Sequence, residues 1–364
     1  MRTVLIANTG WYLYKFRRNL IIALLSRGDV VGIVCPDDKY ARMLVSEFEL
    51  VFYSIPSQPR RVVPSIEIKT IIALRRACKT LSPNVCLTYT PRINCYIGLI
   101  LWKHSKCKLV RNISGLGASV SAEPSLQTRI AVFLYRLSRD CHWNFYQNEE
   151  DQFLGLTSGF STQSNTSLLP GSGVDLDAFP YLSRDSRSTT INVLMAARLI
   201  PDKGYIDFIQ LASRYRDSDV VNFHLIGEFT ADSGMTRVEF DNLIQANRIV
   251  FHGYVEDMAD LYRMCDVFFL PSTYGEGLPR VLLEAASCGC VLVAYSNAGS
   301  NRAIIEGKNG WIVKRGSVDG LEQSLEMYIS LEPEKKKKMA DLSRSHVVNG
   351  FSEKIVIESY LNKI

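Results

Sequence analysis

The stretch DVFFLPSTYGEGLPRVLLEAASCG, residues 266–289, runs from a short apolar segment through a glycine-rich turn into an apolar segment with helical spacing. It reads as strand, loop and helix. Pro279 fits the first helical position, because its ring pre-sets the backbone angle and its missing N–H would be unpaired there anyway. Leu278 would then be the N-cap, and a leucine side chain cannot cap. The first-turn N–H groups are left for a ligand, and a phosphate suits both those donors and the positive end of the helix dipole. Gly275 and Gly277 allow a ligand to approach the backbone closely. Two acids flank this turn, Glu276 on the loop and Glu284 inside the helix. Singly, each has an ordinary explanation as a loop acid or a helix acid with a partner. Together they can straddle a diphosphate, since Pro279 to Glu284 spans roughly 7–8 Å of helix.

The same unit recurs in both directions from this stretch. TVLIA (3–7), DVVGIVC (29–35), NVCLTY (84–89) and KLVRNI (108–113) are apolar, β-branched runs, separated by helical spacing such as Phe16 to Ser26 and Ile66 to Leu81. After a polar linker, SRDSRSTT (183–190), the runs INVLMAARL, NFHLIG, RIVFHGY, CDVFFLPS and CVLVAY repeat the alternation. Strands alternating with helices imply α/β architecture with parallel sheets. A chain of 364 residues is also too long for one ordinary core. We therefore expect two doubly wound domains facing each other across a cleft: residues 1–182, residues 183–345, and a C-terminal helix over 346–364 that packs against a domain. Ligands of such sheets sit at the carboxyl ends of the strands.

Composition narrows the function. Apolar residues at 47 % and charged residues at 22 % describe a globular protein, and no apolar run reaches the length of a membrane span. The start MRTVLIANTG is too short in its apolar part for a signal peptide and reads as a first strand. The nine cysteines and five histidines show no metal-ligand spacing, so the cysteines read as small apolar fillers in a reducing compartment. The expected location is the cytoplasm. Charge is uneven: residues 1–180 hold 21 of the 42 Lys and Arg but only 13 of the 37 Asp and Glu. The first half is basic and the second is not. No nucleic-acid motif accompanies that charge, so nucleic acid is not an expected partner. LEPEKKKKMADL (331–342) reads as a solvated helix face.

With these residues in place, the chain resembles the retaining glycosyltransferases that carry an E-x7-E signature, the glycosyl transferases group 1 of family 4. The resemblance rests on Glu276 and Glu284 and on AARLIPDKGYIDFI (196–209), FHGYVEDMADLYRMCDVFFLPS (251–272), NAGSNRAIIEGKNGWIV (297–313) and LLPGSGVDLDAF (168–179), in that family's order. It implies the GT-B fold, two Rossmann-like domains with the active site in the cleft. It also implies a UDP-sugar donor, with Arg198 and Lys203 on the diphosphate, Glu276 facing the donor sugar and Glu284 on the ribose hydroxyls. Gly277, Leu278 and Pro279 would line the phosphates, and Tyr254 would lie near the base. Arg198 and Lys203 follow the first strand of the second domain, where an arginine can fork onto phosphate oxygens and a lysine acts as a point charge. Fixed cations and helix N–H groups would stabilise the leaving diphosphate without a metal or another cofactor. DLD (175–177) is formally a D-x-D, but it sits in the segment leaving the first domain.

In the first domain, NTGWYLYKFRRNL (8–20) places Asn8 and Gly10 where the family's first loop approaches donor phosphates and acceptor. Trp11, Tyr12 and Tyr14 beside Lys15, Arg17 and Arg18 suit an anionic lipid surface, and equally a helix with buried rings and a basic outer face. QPRRVVPSIEIKTIIALRRACKTL (58–81), which includes Arg60 and Arg61, repeats that composition. NISGLG (112–117) and FYQNEEDQF (145–153) are similar to a branch that glycosylates undecaprenyl-diphosphate-linked sugars. One departure stands out: where many members carry a histidine near position 113, this chain has Asn112 to Ser114, and His104 lies earlier on a helix. The resemblance implies a retaining, metal-independent hexosyltransferase for O-antigen, capsule or lipooligosaccharide. It would move a hexose or N-acetylhexosamine from a UDP-sugar to a lipid-diphosphate-linked saccharide, peripherally bound at the inner face of the plasma membrane. A UDP-sugar 2-epimerase of the same fold, needing no acceptor, and a non-catalytic sugar-nucleotide-binding subunit are the alternatives.

Overall fold

The computed structural model describes residues 1–57, 63–101, 106–114, 126–138, 142–181, 190–274 and 277–364. Glu276, Gly275, Arg60, Arg61 and His104 lie outside them. The chain divides into two compact units, Met1–Ser172 with Lys354–Ile364, and Gly173–Glu353.

The first unit is a seven-stranded sheet in the order β3-β2-β1-β4-β5-β6-β7. Its strands are β1 (Arg2–Ile6), β2 (Val30–Cys35), β3 (Val51–Ser54), β4 (Val85–Tyr89), β5 (Lys108–Ile113), β6 (Trp143–Tyr146) and β7 (Thr166–Leu168), and all neighbours pair in parallel. Helices cover both faces, which is why the central strands read as unbroken apolar runs. On one face α1 (Gly10–Ser26) and α2 (Lys39–Phe48) bury Leu20, Ile21, Leu24 and Leu44 against β1, β2 and β4. On the other, α3 (Pro64–Leu81) and α4 (Pro91–Leu101) bury Leu74, Ala77, Ile93 and Ile97. Beside α4, α5 (Leu126–Leu137) contributes Tyr135 to a smaller cluster with Tyr146 and Phe160, followed by α6 (Glu149–Thr157).

The second unit is a six-stranded parallel sheet in the order β10-β9-β8-β11-β12-β13. Its strands are β8 (Ile191–Ala196), β9 (Val221–Ile226), β10 (Val250–Gly253), β11 (Val267–Leu270), β12 (Val291–Tyr295) and β13 (Gly310–Val313). One face carries α7 (Tyr205–Ser213), α8 (Arg237–Ala246) and α12 (Val318–Ile329), which bury Phe208, Phe240 and Leu325. The other carries α9 (Ala259–Met264), α10 (Arg280–Ser287), α11 (Ser300–Ala303) and α13 (Pro333–Gly350), which bury Tyr262, Leu282, Leu283 and Val347. On β9 and β10 two histidines stand side by side, His224 Nδ1 3.1 Å from His252 Nε2, with the rings stacked.

Three expectations about organisation change. The boundary falls at 172/173 rather than 182/183, because Leu176 and Phe179 pack into the second unit's core and the Tyr181 hydroxyl donates to Asp341 at 2.7 Å. Residues 346–364 are not one helix. α13 runs on to Gly350, and α14 (Glu353–Leu361) sends Val356 and Tyr360 into the first unit's core. Arg17 is not on an outer face: it is 1 % exposed, with its guanidinium carbon 4.6 Å from the Tyr89 ring centroid and 5.5–5.6 Å from those of Tyr12 and Tyr360. Its Nη2 donates to the Tyr12 hydroxyl at 3.0 Å. Among the described residues no disulfide forms, and the sulfurs of Cys86 on β4 and Cys107 just before β5 lie 3.7 Å apart.

Candidate active site

In the second unit the chain runs outward from β8 to β10, returns, and runs the other way from β11 to β13. The reversal lies between β8 and β11, and the crevice outside the carboxyl ends of those two strands is where such sheets hold ligands. Arg198 and Lys203 follow β8; the segment Pro271 to Pro279 follows β11. These two loops are joined. The Asp202 carbonyl accepts the N–H groups of Thr273 at 2.9 Å and Tyr274 at 3.1 Å, with the Ser272 and Thr273 hydroxyls both at 3.3 Å. Gly204 makes the approach possible: at φ +78° a Cβ there would stand 1.9 Å from the Pro271 carbonyl oxygen. A side chain of any kind would force the loops apart.

Lys203 closes a short 3-10 turn, Pro201–Lys203, and is 9 % exposed with its ammonium 4.5 Å from the Tyr274 ring centroid. Arg198 is exposed, and no ion pair of its side chain occurs among the described residues. The loop after β12 joins the same block, since Asn297 Nδ2 donates to the Ser272 carbonyl at 3.4 Å and its Oδ1 accepts the Ser300 N–H at 2.8 Å.

α10 begins one residue later than the sequence implies. Pro279, with φ −64° and ψ 117°, is the N-cap itself, and Arg280 is the first helical residue. The extended ψ keeps proline outside the helix. Pro279 makes no side-chain capping hydrogen bond. Leu278 is buried in the core below, and Gly277 is half-buried beside it. Glu284 sits one turn in, with its side chain 13 % exposed. Arg280 Nε donates to its Oε1 at 2.8 Å and the Tyr262 hydroxyl to its Oε2 at 3.1 Å. Burial and the Glu284 carboxylate push the Tyr262 hydroxyl well above its ordinary range, so it remains a neutral donor. Tyr254, just past β10, is 59 % exposed.

The first unit treats its named residues differently. Asn8 is half-buried after β1. Gly10 opens α1, where its N–H donates to Asp38 Oδ2 at 2.8 Å, and a Cβ would meet Asp38 Oδ1 at 2.3 Å and the Ala41 nitrogen at 2.6 Å. Packing of α1 on α2 therefore accounts for this glycine. Asn112, at the position of the family's histidine, is a buried connector. Its Nδ2 donates to the Tyr360 hydroxyl at 2.8 Å, and its Oδ1 accepts from Gln147 at 3.1 Å. Asp175 of the DLD segment accepts from the N–H groups of Asp177 and Ala178, a local turn.

Sequence reasoning missed Asp202, Gly204, Asn297, Tyr262 and Arg280. Only Arg280 left a signal, as the basic partner four residues before Glu284 on one helix.

Residues 183–346 match the family model described as Glycosyl transferases group 1. The protein is a glycosyltransferase, and its second half is similar to the group 1 domain. Over 99 % of its length the transferase is 24 % identical to 97 % of the N,N'-diacetylbacillosaminyl-diphospho-undecaprenol alpha-1,3-N-acetylgalactosaminyltransferase of Campylobacter jejuni. It is 23 % identical, over 56 % of its own chain and 55 % of the relative, to the Escherichia coli UDP-Gal:alpha-D-GlcNAc-diphosphoundecaprenol alpha-1,3-galactosyltransferase. Among solved structures, Anabaena Alr3699/HepE in complex with UDP and glucose superposes with a TM-score of 0.79 over 100 % of this chain and 98 % of that one, at 17 % identity. That likeness is one of fold, two Rossmann-like units with parallel sheets.

Proposed function

We propose that the protein is a retaining, metal-independent hexosyltransferase that moves a hexose or N-acetylhexosamine from a UDP-sugar to an undecaprenyl-diphosphate-linked saccharide in bacterial surface polysaccharide assembly. The single observation that carries this reading is the joined block at the β8/β11 reversal. It ties the turn that carries Lys203, with Arg198 just before it in sequence, to the segment leading into α10, where Arg280 holds Glu284. Such a block suits a nucleoside diphosphate: N–H groups and cations for the phosphates, a fixed carboxylate for ribose hydroxyls.

In the reaction the bond from the sugar's anomeric carbon to the β-phosphate oxygen breaks, and an acceptor hydroxyl oxygen bonds to that carbon on the same face. The hydroxyl proton passes to the departing phosphate oxygen. Negative charge grows on the diphosphate, and Arg198, Lys203 and the first N–H groups of α10 are placed to stabilise it. Glu276 would face the donor sugar, Gly277, Leu278 and Pro279 would border the phosphates, and Tyr254 would flank the base. Asn8 and Gly10 belong to the acceptor side, Gly10 through the packing that sets the loop. A lipid-linked acceptor also implies peripheral association with the cytoplasmic face of a membrane.

The curated relatives that transfer sugars to undecaprenyl-diphosphate acceptors favour transfer over epimerisation. The test is mass spectrometry of the protein with UDP-hexoses and UDP-N-acetylhexosamines, with and without a short-chain lipid-diphosphate saccharide, and NMR of the new anomeric centre. An extended saccharide with the donor's anomeric configuration is the expected product. A C2-epimerised sugar formed without acceptor would overturn the proposal in favour of the epimerase.

A further inference from the structure

The basic, aromatic start of α1 is poorly placed to meet a membrane, since Arg17 is buried and Arg18 pairs with Glu47 at 3.2 Å. We propose instead that the outer face of the α3, α4 and α5 layer docks on an anionic lipid bilayer.

α3 turns Leu74, Ala77 and Leu81 inward to the sheet. Its opposite side exposes Ile68 at 59 % and Ile72 at 47 %, one helical turn apart. α5 repeats the arrangement: Tyr135 is buried, while Ile130 and Phe133, a turn apart, are exposed at 51 % and 59 %. α4 lies between them, sharing one cluster with α3 and another with α5, so the exposed residues belong to one helical layer. Each of the two helices thus presents a pair of large apolar side chains, a turn apart, on its exposed side.

The charges around them identify the partner. Lys69, Arg75, Arg76 and Lys79 are exposed on α3, and Arg129 and Arg136 on α5. Across residues 63–101 and 126–138 there is one acid, Glu67. It is already engaged by Arg92 Nη1 at 2.7 Å and the Tyr96 hydroxyl at 2.6 Å. Apolar side chains framed by Lys and Arg that form no ion pair among the described residues fit the boundary between anionic headgroups and acyl chains. α6 exposes Phe153 too, but it opens with exposed Glu149 and Glu150, and it is left outside the surface. The proposal rests on the lipid-linked acceptor reading, because such an acceptor is confined to a bilayer.

The test is co-sedimentation of the full chain with vesicles of phosphatidylglycerol and phosphatidylcholine, or of phosphatidylcholine alone, at low and high salt. One variant carries Ile68→Ser, Ile72→Ser and Phe133→Ser, another Arg75→Ser, Arg76→Ser and Arg129→Ser, and a control carries Lys15→Ser and Arg18→Ser on α1. All positions are at the surface, and matched melting curves verify folding. The parent should bind the anionic vesicles, with salt weakening the attraction. Each of the first two variants should lose roughly tenfold or more in partitioning, and the control less than about twofold. Transfer to a short-chain, water-soluble acceptor should be unchanged in every variant. Its absence in the parent would count against the transferase reading alone, and leaves the vesicle result standing. Binding that ignores lipid charge, survives both sets of substitutions or fails in the control would overturn the proposal. Failure of the parent to bind any vesicle would assign this face to a protein partner instead.

Discussion

Glu284 accepts from two donors of different kinds, a guanidinium on its own helix and a hydroxyl wholly buried beneath it. In the proposed reaction the same carboxylate accepts sugar hydroxyls of the donor. Replacing Glu284 by Ala should therefore weaken UDP binding itself. Tyr262→Phe, which keeps the ring and removes one donor that orients the carboxylate, should raise the UDP Kd by about three- to tenfold, the net size of an ordinary hydrogen bond. Isothermal titration with UDP separates these variants, and unchanged affinity in both would refute a ribose-binding role. Lys203 makes the opposite prediction. Lys203→Met should lower kcat by roughly 100-fold or more while UDP affinity changes less, because its charge acts where charge develops. Activity should persist in EDTA. At this scale the sequence marks glycines, a proline and two acids at fixed spacing, of which Gly275 and Glu276 lie outside the described residues. It was silent about Asp202, whose contribution is a backbone carbonyl that any residue carries. It misled at Arg17, because an arginine caged by tyrosines has the composition of an exposed basic face.

The joined turns after β8 and β11 depend on one backbone conformation. Gly204→Ala puts a side chain at φ +78° and against a carbonyl oxygen, and should cost about 1–3 kcal/mol at least. Urea unfolding measures the stability loss, and a parallel loss of UDP affinity is expected as the loops separate. The paired strands β9 and β10 give a pH dependence. Unfolded, His224 takes up a proton near pH 6.5; folded, desolvation and the neighbouring His252 lower that to about 4. Between those values the unfolded chain holds more protons, so stability falls as pH is lowered from about 6.5 toward 4. His252 is lowered as well, also by burial. We expect a loss of about 2 kcal/mol across that range, with His224→Gln removing most of it in denaturant titrations at several pH values. Among elements, most long apolar strands and α3 were legible within a residue or two, whereas α1 begins at Gly10, six residues before the helical spacing read from Phe16. β3, β6, β7 and β13 were not, since three or four residues carry too little alternation to distinguish a strand from a loop. The start of α10 was displaced by one residue because the ψ of Pro279 is set by its surroundings rather than by its ring.

Two parallel sheets with the same winding follow from the alternation of strands and helices. Which unit owns the chain's end does not, because a short amphipathic helix carries no mark of its destination. α14 completes the first unit: Tyr360 is fully buried, closes the ring cage around Arg17 and accepts from Asn112. Tyr360→Ala should cost about 3–5 kcal/mol, the usual loss for a buried aromatic. Hydrogen exchange followed by mass spectrometry should place the increase in peptides of residues 1–172, and leave those of 190–350 near their parent values. Uniform change across both units would contradict this division. The discontinuity also orders events at the ribosome. The first 172 residues emerge early, yet Tyr360, which closes the cage over Arg17, is encoded after the whole of the second unit. The second unit is whole in sequence once Glu353 has been made and has only to clear the exit tunnel, whereas its predecessor waits for residues 354–364 to follow. The half made first is finished last, and until α14 emerges it is the half exposed to chaperones and proteases.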